Sequence, residues 1–343
     1  MAKKNENTGV CPRVDIGGQA VLDGVMMKAP DAVAVAVRRA NGDIVVKREP
    51  YESPAKKHPW MGLPFIRGSV NMVQMLGLGM RVLEDSMKMS GNEDAQEEPT
   101  KFEKWLAEKL GKNVDKVVMG VAIVLALAMS VGLFVLLPNL AIMLFPGNAT
   151  GGTLLVKNLV SGLIRTVILI TYIGLVGRIP EMRKTFQYHG SEHKTVYCHE
   201  HELPLTPKNA QQFTTLHPRC GTSFLLLTFI LSILFYSVID VLVLQLTGFD
   251  LGANYLLRVL SRIILLPCVA GISYETLKGL AHAENPLTRA LRWPGLQMQR
   301  LTTRQPSDEQ LEVAIASMNA ALHGLPEGEV TEEGWVILHP AQA

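Results

Sequence analysis

Charge is scarce in this chain of 343 residues: Asp, Glu, Lys and Arg together make up 19%, against 48% apolar residues. That balance sets it apart from an ordinary soluble protein, and no nucleic-acid partner is expected. Cysteine is also scarce. Cys11, Cys198, Cys220 and Cys268 are too few and too scattered for a disulfide framework. Cys198 and Cys220 read as thiols available in a reducing compartment, and Cys268 as a small apolar core residue. The opening "MAKKNENTGVCPRVDIGG" has no apolar run, so no signal peptide is expected. Glycines bracket "GGQAVLDGVMMKAP", but the Gly-x-Gly spacing followed by a helix is missing, which argues against a nucleotide site. There is no internal repeat.

What the chain does have is four long apolar blocks: "VVMGVAIVLALAMSVGLFVLLPNLAIMLF", "LLVKNLVSGLIRTVILITYIGLVGRI", "FLLLTFILSILFYSVIDVLVLQL" and "LLRVLSRIILLPCVAGISYETLKGL". A hydrocarbon core about 30 Å thick needs roughly 20 apolar helical residues to cross. Each block is long enough, so four transmembrane helices are expected. Basic residues crowd the segment before the first block, the connection between the second and third (Arg178, Arg183, Lys184, Lys194, Lys208, Arg219), and the segment after the fourth (Arg289, Arg292, Arg300, Arg304). The positive-inside rule then places both termini and residues 180 to 220 on the cytoplasmic side of the membrane.

The resulting fold class is an α-helical polytopic membrane protein with a small strand-containing cytoplasmic amino-terminal domain. Residues 1–60 form that domain, with "AVAVAVRR" and "IVVKREP" joined by an Asn-Gly turn as a hairpin. Residues 61–112 hold an amphipathic helix and an acidic linker. Ile66, Val70, Val73, Met80, Leu83 and Met87 recur at helical spacing, on a helix that lies on the membrane, on the other helices, or in the core of the cytosolic domain. Residues 113–283 are the four-helix membrane domain. Residues 284–343 are a cytoplasmic tail whose "SDEQLEVAIASMNAAL" reads as a short capped helix.

The chemistry gathers in "YHGSEHKTVYCHEHE", where His189, His193, His199 and His201 stand among the chain's nine histidines. Pro180 suits the first turn of a helix. From there Met182, Phe186, His189, His193 and Val196 share one helical face, and Glu192 joins it. Two imidazoles at i and i+4 can ligate one metal ion. His189-x-x-Glu192-His193 is the inverted zincin string, in which the glutamate is a base for metal-activated water. Further on, "LHPRCGTS" places His217 and Cys220 at the entry to the third block. A metal site and a hydrogen-bonded polar cap are the alternatives for this set. His199 and His201 read as solvated loop. Within the blocks, Arg165 and Asp240 are the natural compensating pair. Glu275, near the inner end of the fourth block, is either a further carboxylate for the site or a helix-end surface residue.

"GGQAVLDGVMMKAP", "YHGSEHKTVYC", "LHPRCGTSFLLL", "LPCVAGISYE" and "PGLQMQRLTTRQPSDEQLEVAI" resemble the YqhQ-like family of bacterial membrane proteins over nearly the whole chain. That resemblance implies a metal-dependent enzyme without a defined substrate, with His189, Glu192, His193, His217 and Cys220 at the matching positions. Asp23 stands where the family resemblance leads one to expect an acidic residue, commonly glutamate.

The function these features support is a membrane-embedded metal-dependent enzyme, hydrolytic in type. Its metal is zinc or another divalent transition metal. His189 and His193 are ligands, Glu192 is the general base, His217 is the third ligand, and Cys220 is a fourth ligand or a neighbour. Two other classes are a closed structural zinc site and an ion or metal transporter. The lipid bilayer is the expected partner, and a homo-oligomer is compatible with the sequence.

Overall fold

The structure, a computed structural model, describes residues 16–91, 114–143, 151–251, 255–282 and 285–339. Cys11, the acidic linker at 92–100 and the lysines at 101–112 lie outside the described residues. The elements in chain order are β1 (Gly17–Val21), β2 (Gly24–Lys28), β3 (Ala32–Arg38) and β4 (Ile44–Pro50), followed by helix α1 (Ile66–Met89). Next come α2 (Val114–Val131), a π-helical turn (Gly132–Leu136), α3 (Leu137–Met143), α4 (Gly151–Val176), α5 (Pro180–Glu200) and α6 (Pro207–Gln211). The last are α7 (Gly221–Thr247), α8 (Tyr255–His282), α9 (Pro286–Thr302), α10 (Asp308–His323), β5 (Glu329–Val330) and β6 (Val336–Leu338).

The chain divides into two units. One comprises residues up to Gly91, Ile173–Thr228 and Pro267 onward. The other comprises Asn92–Tyr172 and Phe229–Leu266. The first is built on an antiparallel sheet of order β1-β2-β3-β4-β6-β5. The β3–β4 hairpin forms at the expected Asn-Gly sequence. Gly42, at φ 94°, takes the left-handed position of the loop, and its N–H returns to the Arg39 carbonyl at 3.0 Å. In β3 the run "AVAVAV" is buried on both faces. Ala34 and Ala36 join the cluster under α5 and α10, while Val33, Val35 and Val37 join the cluster under α1. Small side chains on one face let α10 approach closely enough for Ser317 Oγ to donate to the Ala34 carbonyl at 3.1 Å. Branched ones fill the gap to Leu78, Val82 and Met89 on the other.

This sheet corrects the expected domain boundaries. The segment from 284 on is no separate tail. Its β6 pairs with β4 (Val45 opposite Ile337), and its α10 covers the sheet face. The amino- and carboxy-terminal regions therefore share one core. Strands of two and three residues carry too little periodicity to be read from sequence. The expected cap on α10 is present as a reciprocal box: Ser307 Oγ accepts the Gln310 N–H, and the Gln310 side chain accepts the Ser307 N–H.

Among the described residues, three helices are long and apolar enough to cross a membrane: Gly152–Val176, Gly221–Thr247 and Leu256–Leu280. In the first apolar block the described apolar stretch is shorter, Val124–Phe134. Within the second unit, Gly162 of α4 packs directly on the side chain of Ile233 of α7; a Cβ there would lie 2.6 Å from it.

The charge pairing inside the spans differs from expectation. Asp240, fully buried, is held by Arg262 through both carboxylate oxygens at 2.9 and 2.5 Å and by Asn158 Nδ2 at 2.8 Å. Arg262 also lies over the Tyr236 ring, 4.4 Å from its centroid. The bidentate partner is thus Arg262, where the sequence suggested Arg165. Arg262 follows Asp240 by a helix-to-helix return, a relation invisible to a count along two separate apolar blocks.

Candidate functional site

The site is built on α5, in the first unit. Pro180 opens this helix at its first turn, as expected from its fixed φ and missing N–H. The helix runs to Glu200, further than the sequence suggested. His199 is therefore inside it and buried, and only His201, at the C-cap, is exposed, its Nδ1 2.8 Å from the Tyr197 carbonyl. The solvated-loop expectation is corrected for His199.

Gly190 lies between the two candidate ligands, where glycine normally weakens a helix. The reason for it is a close approach: the chain at Arg304 passes so near that a Cβ on residue 190 would collide with the Arg304 carbonyl oxygen. The Arg304 N–H in turn donates to the Phe186 carbonyl at 2.8 Å. Gly190→Ala is expected to destabilise the protein by about 1–3 kcal/mol through forced backbone displacement. A thermal melt of the purified variant checks this, and an unchanged melting temperature would show that the chain at 304 yields freely.

His189, His193 and Cys220 come together. Each offers one donor atom, and the three atoms lie within 4.8 Å of one another. His189 Nε2 is 3.1 Å from Cys220 Sγ, and the two imidazole centroids are 4.5 Å apart. The opposite ring nitrogens are occupied by main-chain carbonyls: His189 Nδ1 by Thr302 at 2.8 Å and His193 Nδ1 by Thr215 at 2.5 Å. Each Nδ1–H that donates there leaves Nε2 with a lone pair facing inward, which is the outer-shell arrangement metal-ligating histidines use. His193 Nε2 is buried and makes no hydrogen bond. Cys220 sits immediately before α7, its Sγ accepting the Thr222 N–H at 3.4 Å and contacting Thr222 Oγ1 at 3.2 Å. Burial holds the His193 and His217 imidazoles below their ordinary titration range, which favours the neutral form that binds metal.

The third donor of this group is Cys220. His217, expected in that place, lies beside the group: its ring centroid is 5.6 Å from that of His193, and its Nε2 faces a Glu200 carboxylate oxygen at 3.4 Å. Glu192 is buried, its Oε2 3.4 Å from His193 Nε2. Burial pushes its carboxyl above the ordinary carboxylate range; the nearby His189 and His217 and a hydrogen bond from the Gly18 N–H oppose that. Gly18 explains part of the glycine-rich opening motif. A side chain there would strike Glu192, so β1 can reach the carboxylate only as bare backbone.

Glu275 belongs elsewhere. It forms a bidentate pair with Arg67 at 2.6 and 2.5 Å and accepts the Phe65 N–H at 3.3 Å. Asp23 occupies the two-residue turn between β1 and β2 at φ 52°, a conformation Asp tolerates better than most residues, and pairs with Lys184. It ties the hairpin to α5 and is not part of the histidine group. Of the cysteines, Cys198 is buried, and burial raises its thiol. The "available thiol" reading fails for it. Cys268, expected in a core, is on an exposed helix face.

Several supporting residues carry no sequence signal. Gln299 is fully buried. Its Oε1 accepts the His217 N–H and its Nε2 donates to the His217 carbonyl and to Ser223 Oγ, all at 2.7 Å. Lys194, also buried, donates to the carbonyls of Gln211 and Phe213 at 2.9 and 2.6 Å. It fixes the segment that delivers the Thr215 carbonyl to His193. A lone Gln or Lys in a helix reads as surface; only the fold turns these two inward.

An apolar-helix membrane protein carrying a His–His–Cys cluster on a sheet-based unit is the class these features define. The chain belongs to a family described as "Protein of unknown function (DUF1385)", whose model matches residues 63–324. It is 33% identical over 311 residues to "Uncharacterized protein YqhQ" of Bacillus subtilis (strain 168), covering 89% of this chain and 92% of that protein. No solved structure matches.

Proposed function

We propose that the protein is a membrane-embedded metal-dependent enzyme of hydrolytic type, with zinc or another divalent transition metal held by His189, His193 and Cys220. The observation that carries this reading is the convergence of three donor atoms within 4.8 Å, with the Glu192 carboxylate beside them. Two imidazoles and a thiolate suit zinc, and three protein ligands leave a coordination position open, as catalytic sites do. An ion held by these three residues would supply Lewis acidity at the site. Glu192 would take a proton from water and give it to a leaving group, and burial, which raises its affinity for a proton, suits both roles. The Thr302 and Thr215 carbonyls hold the two rings in orientation. His217 is buried against Glu200 beside the three donors.

Metal analysis of purified full-length variants tests the ligand set. His189→Ala, His193→Ala and Cys220→Ala are each expected to lose metal, by about 10-fold or more in affinity, whereas His217→Ala retains it. If His217→Ala strips the metal as fully as the others, the site is a closed four-ligand one and the structural reading replaces the catalytic one.

The proposal also includes four spans with both termini and residues 180–220 on the cytoplasmic side, supported by the distribution of basic residues. Reporter fusions ending after Lys208 and after Phe249 are expected to report cytoplasm and exterior respectively. An exterior signal after Lys208 would reverse the orientation.

A further inference from the structure

Helix α1 has two apolar faces, and the sheet uses only one. Leu78, Val82 and Met89 are buried in the cluster formed with Val33, Val35 and Val37. On the other side Val73, Leu76, Met80, Leu83 and Met87 are all exposed, between 42% and 68%. Their three- and four-residue steps make one continuous stripe. Arg81, Glu84 and Lys88, also exposed, line its flank. A stripe of this length in water would be a large uncovered patch, well beyond scattered surface hydrophobes.

What covers it is indicated by where the helix begins. Its first turn is locked to α8: a Cβ on Gly68 would lie 2.7 to 2.9 Å from Tyr274, Ala270 and Gly271, and one on Gly271 would strike Phe65. Ser69 Oγ donates to the Pro267 carbonyl at 2.9 Å. These α8 residues lie within Leu256–Leu280, a helix long and apolar enough to span a bilayer. At ~1.5 Å per residue, Pro267 and Glu275 stand about 18 and 30 Å along α8 from Tyr255, so Phe65–Ser69 meets the span over the last third of a ~30 Å hydrocarbon core. The Arg67–Glu275 pair falls at its boundary. Trp60, Leu63 and Phe65, just before the helix, are exposed together. Aromatic side chains favour that interfacial depth.

We infer that α1 is an interfacial membrane helix whose Val73–Leu76–Met80–Leu83–Met87 stripe is embedded in the acyl-chain boundary of the leaflet on the side of the sheet. Its buried face grips the sheet, so the helix fixes the sheet against the bilayer surface. A helix anchored in hydrocarbon at its first turn and apolar to its last lies along the interface; one rising away from it would leave Leu83 and Met87 in water. This inference is independent of the metal reading.

The test uses full-length protein in lipid nanodiscs, with an environment-sensitive fluorescent amino acid placed singly at Leu76, Leu83, Met87 or Arg81. Quenching by acyl-chain nitroxide lipid and by aqueous iodide is then compared. The expected result is loss of fluorescence to the nitroxide lipid, and protection from iodide, at Leu76, Leu83 and Met87, with the opposite at Arg81. Iodide quenching at Leu83 and Met87 overturns the inference, because the helix then leaves the membrane. Protection from both quenchers at the stripe also overturns it. Close label-to-label distances between two copies would then assign the stripe to a dimer contact, and their absence to another segment of the same chain.

Discussion

Glu192→Gln is expected to retain full metal occupancy and to lose activity by about 10²–10⁴-fold, the range a positioned general base contributes. Glutamine keeps the shape of the side chain and can still accept the Gly18 N–H, so the packing of β1 on α5 should survive. What it cannot do is take a proton from water. With no substrate in hand, complementation of a deletion strain is the activity readout, and metal content and thermal stability are measured in parallel. A fully complementing Glu192→Gln would end the catalytic reading and leave a site that binds metal for structure alone. Loss of metal in the same variant would instead make Glu192 a ligand, which would change its role in the group with His189, His193 and Cys220.

Asp240→Asn is expected to destabilise the protein by about 3–5 kcal/mol, because it leaves Arg262 charged and without its carboxylate in a span. Tyr236 remains a neighbour of the guanidinium but carries no charge to offset it. The double variant Asp240→Leu with Arg262→Leu should recover much of that loss, since two apolar side chains suit the same environment. Thermal denaturation of the wild type, Asp240→Leu, Arg262→Leu and the double variant in one detergent measures the coupling. Strictly additive effects would show that Asp240 and Arg262 do not stabilise each other.

The sequence alone determined much about this protein. Block length and apolarity marked the three described helices that are long and apolar enough to cross a membrane, since a helix in lipid must satisfy its own backbone hydrogen bonds and can expose little but hydrocarbon. Helical spacing placed His189 and His193 on one face, because i and i+4 are neighbours on any α-helix. The Pro180 start, the Asn41–Gly42 hairpin and the Ser307–Gln310 cap are local devices, written in adjacent residues and legible there.

Tertiary structure decided what depends on residues far apart in the chain. Cys220 stands in the three-donor group and His217 beside it because Gln299, 82 residues on, grips the His217 backbone and turns its ring toward Glu200. Gly18 and Gly190 look like flexibility in a sequence; each is a contact where no side chain fits, against Glu192 and Arg304. Asp240 chose Arg262, and Glu275 chose Arg67, by helix juxtaposition. The two chain ends share a sheet because β6 hydrogen-bonds to β4. Local propensity acts over a few residues, whereas the burial and pairing that select these partners act only once the chain has brought them together.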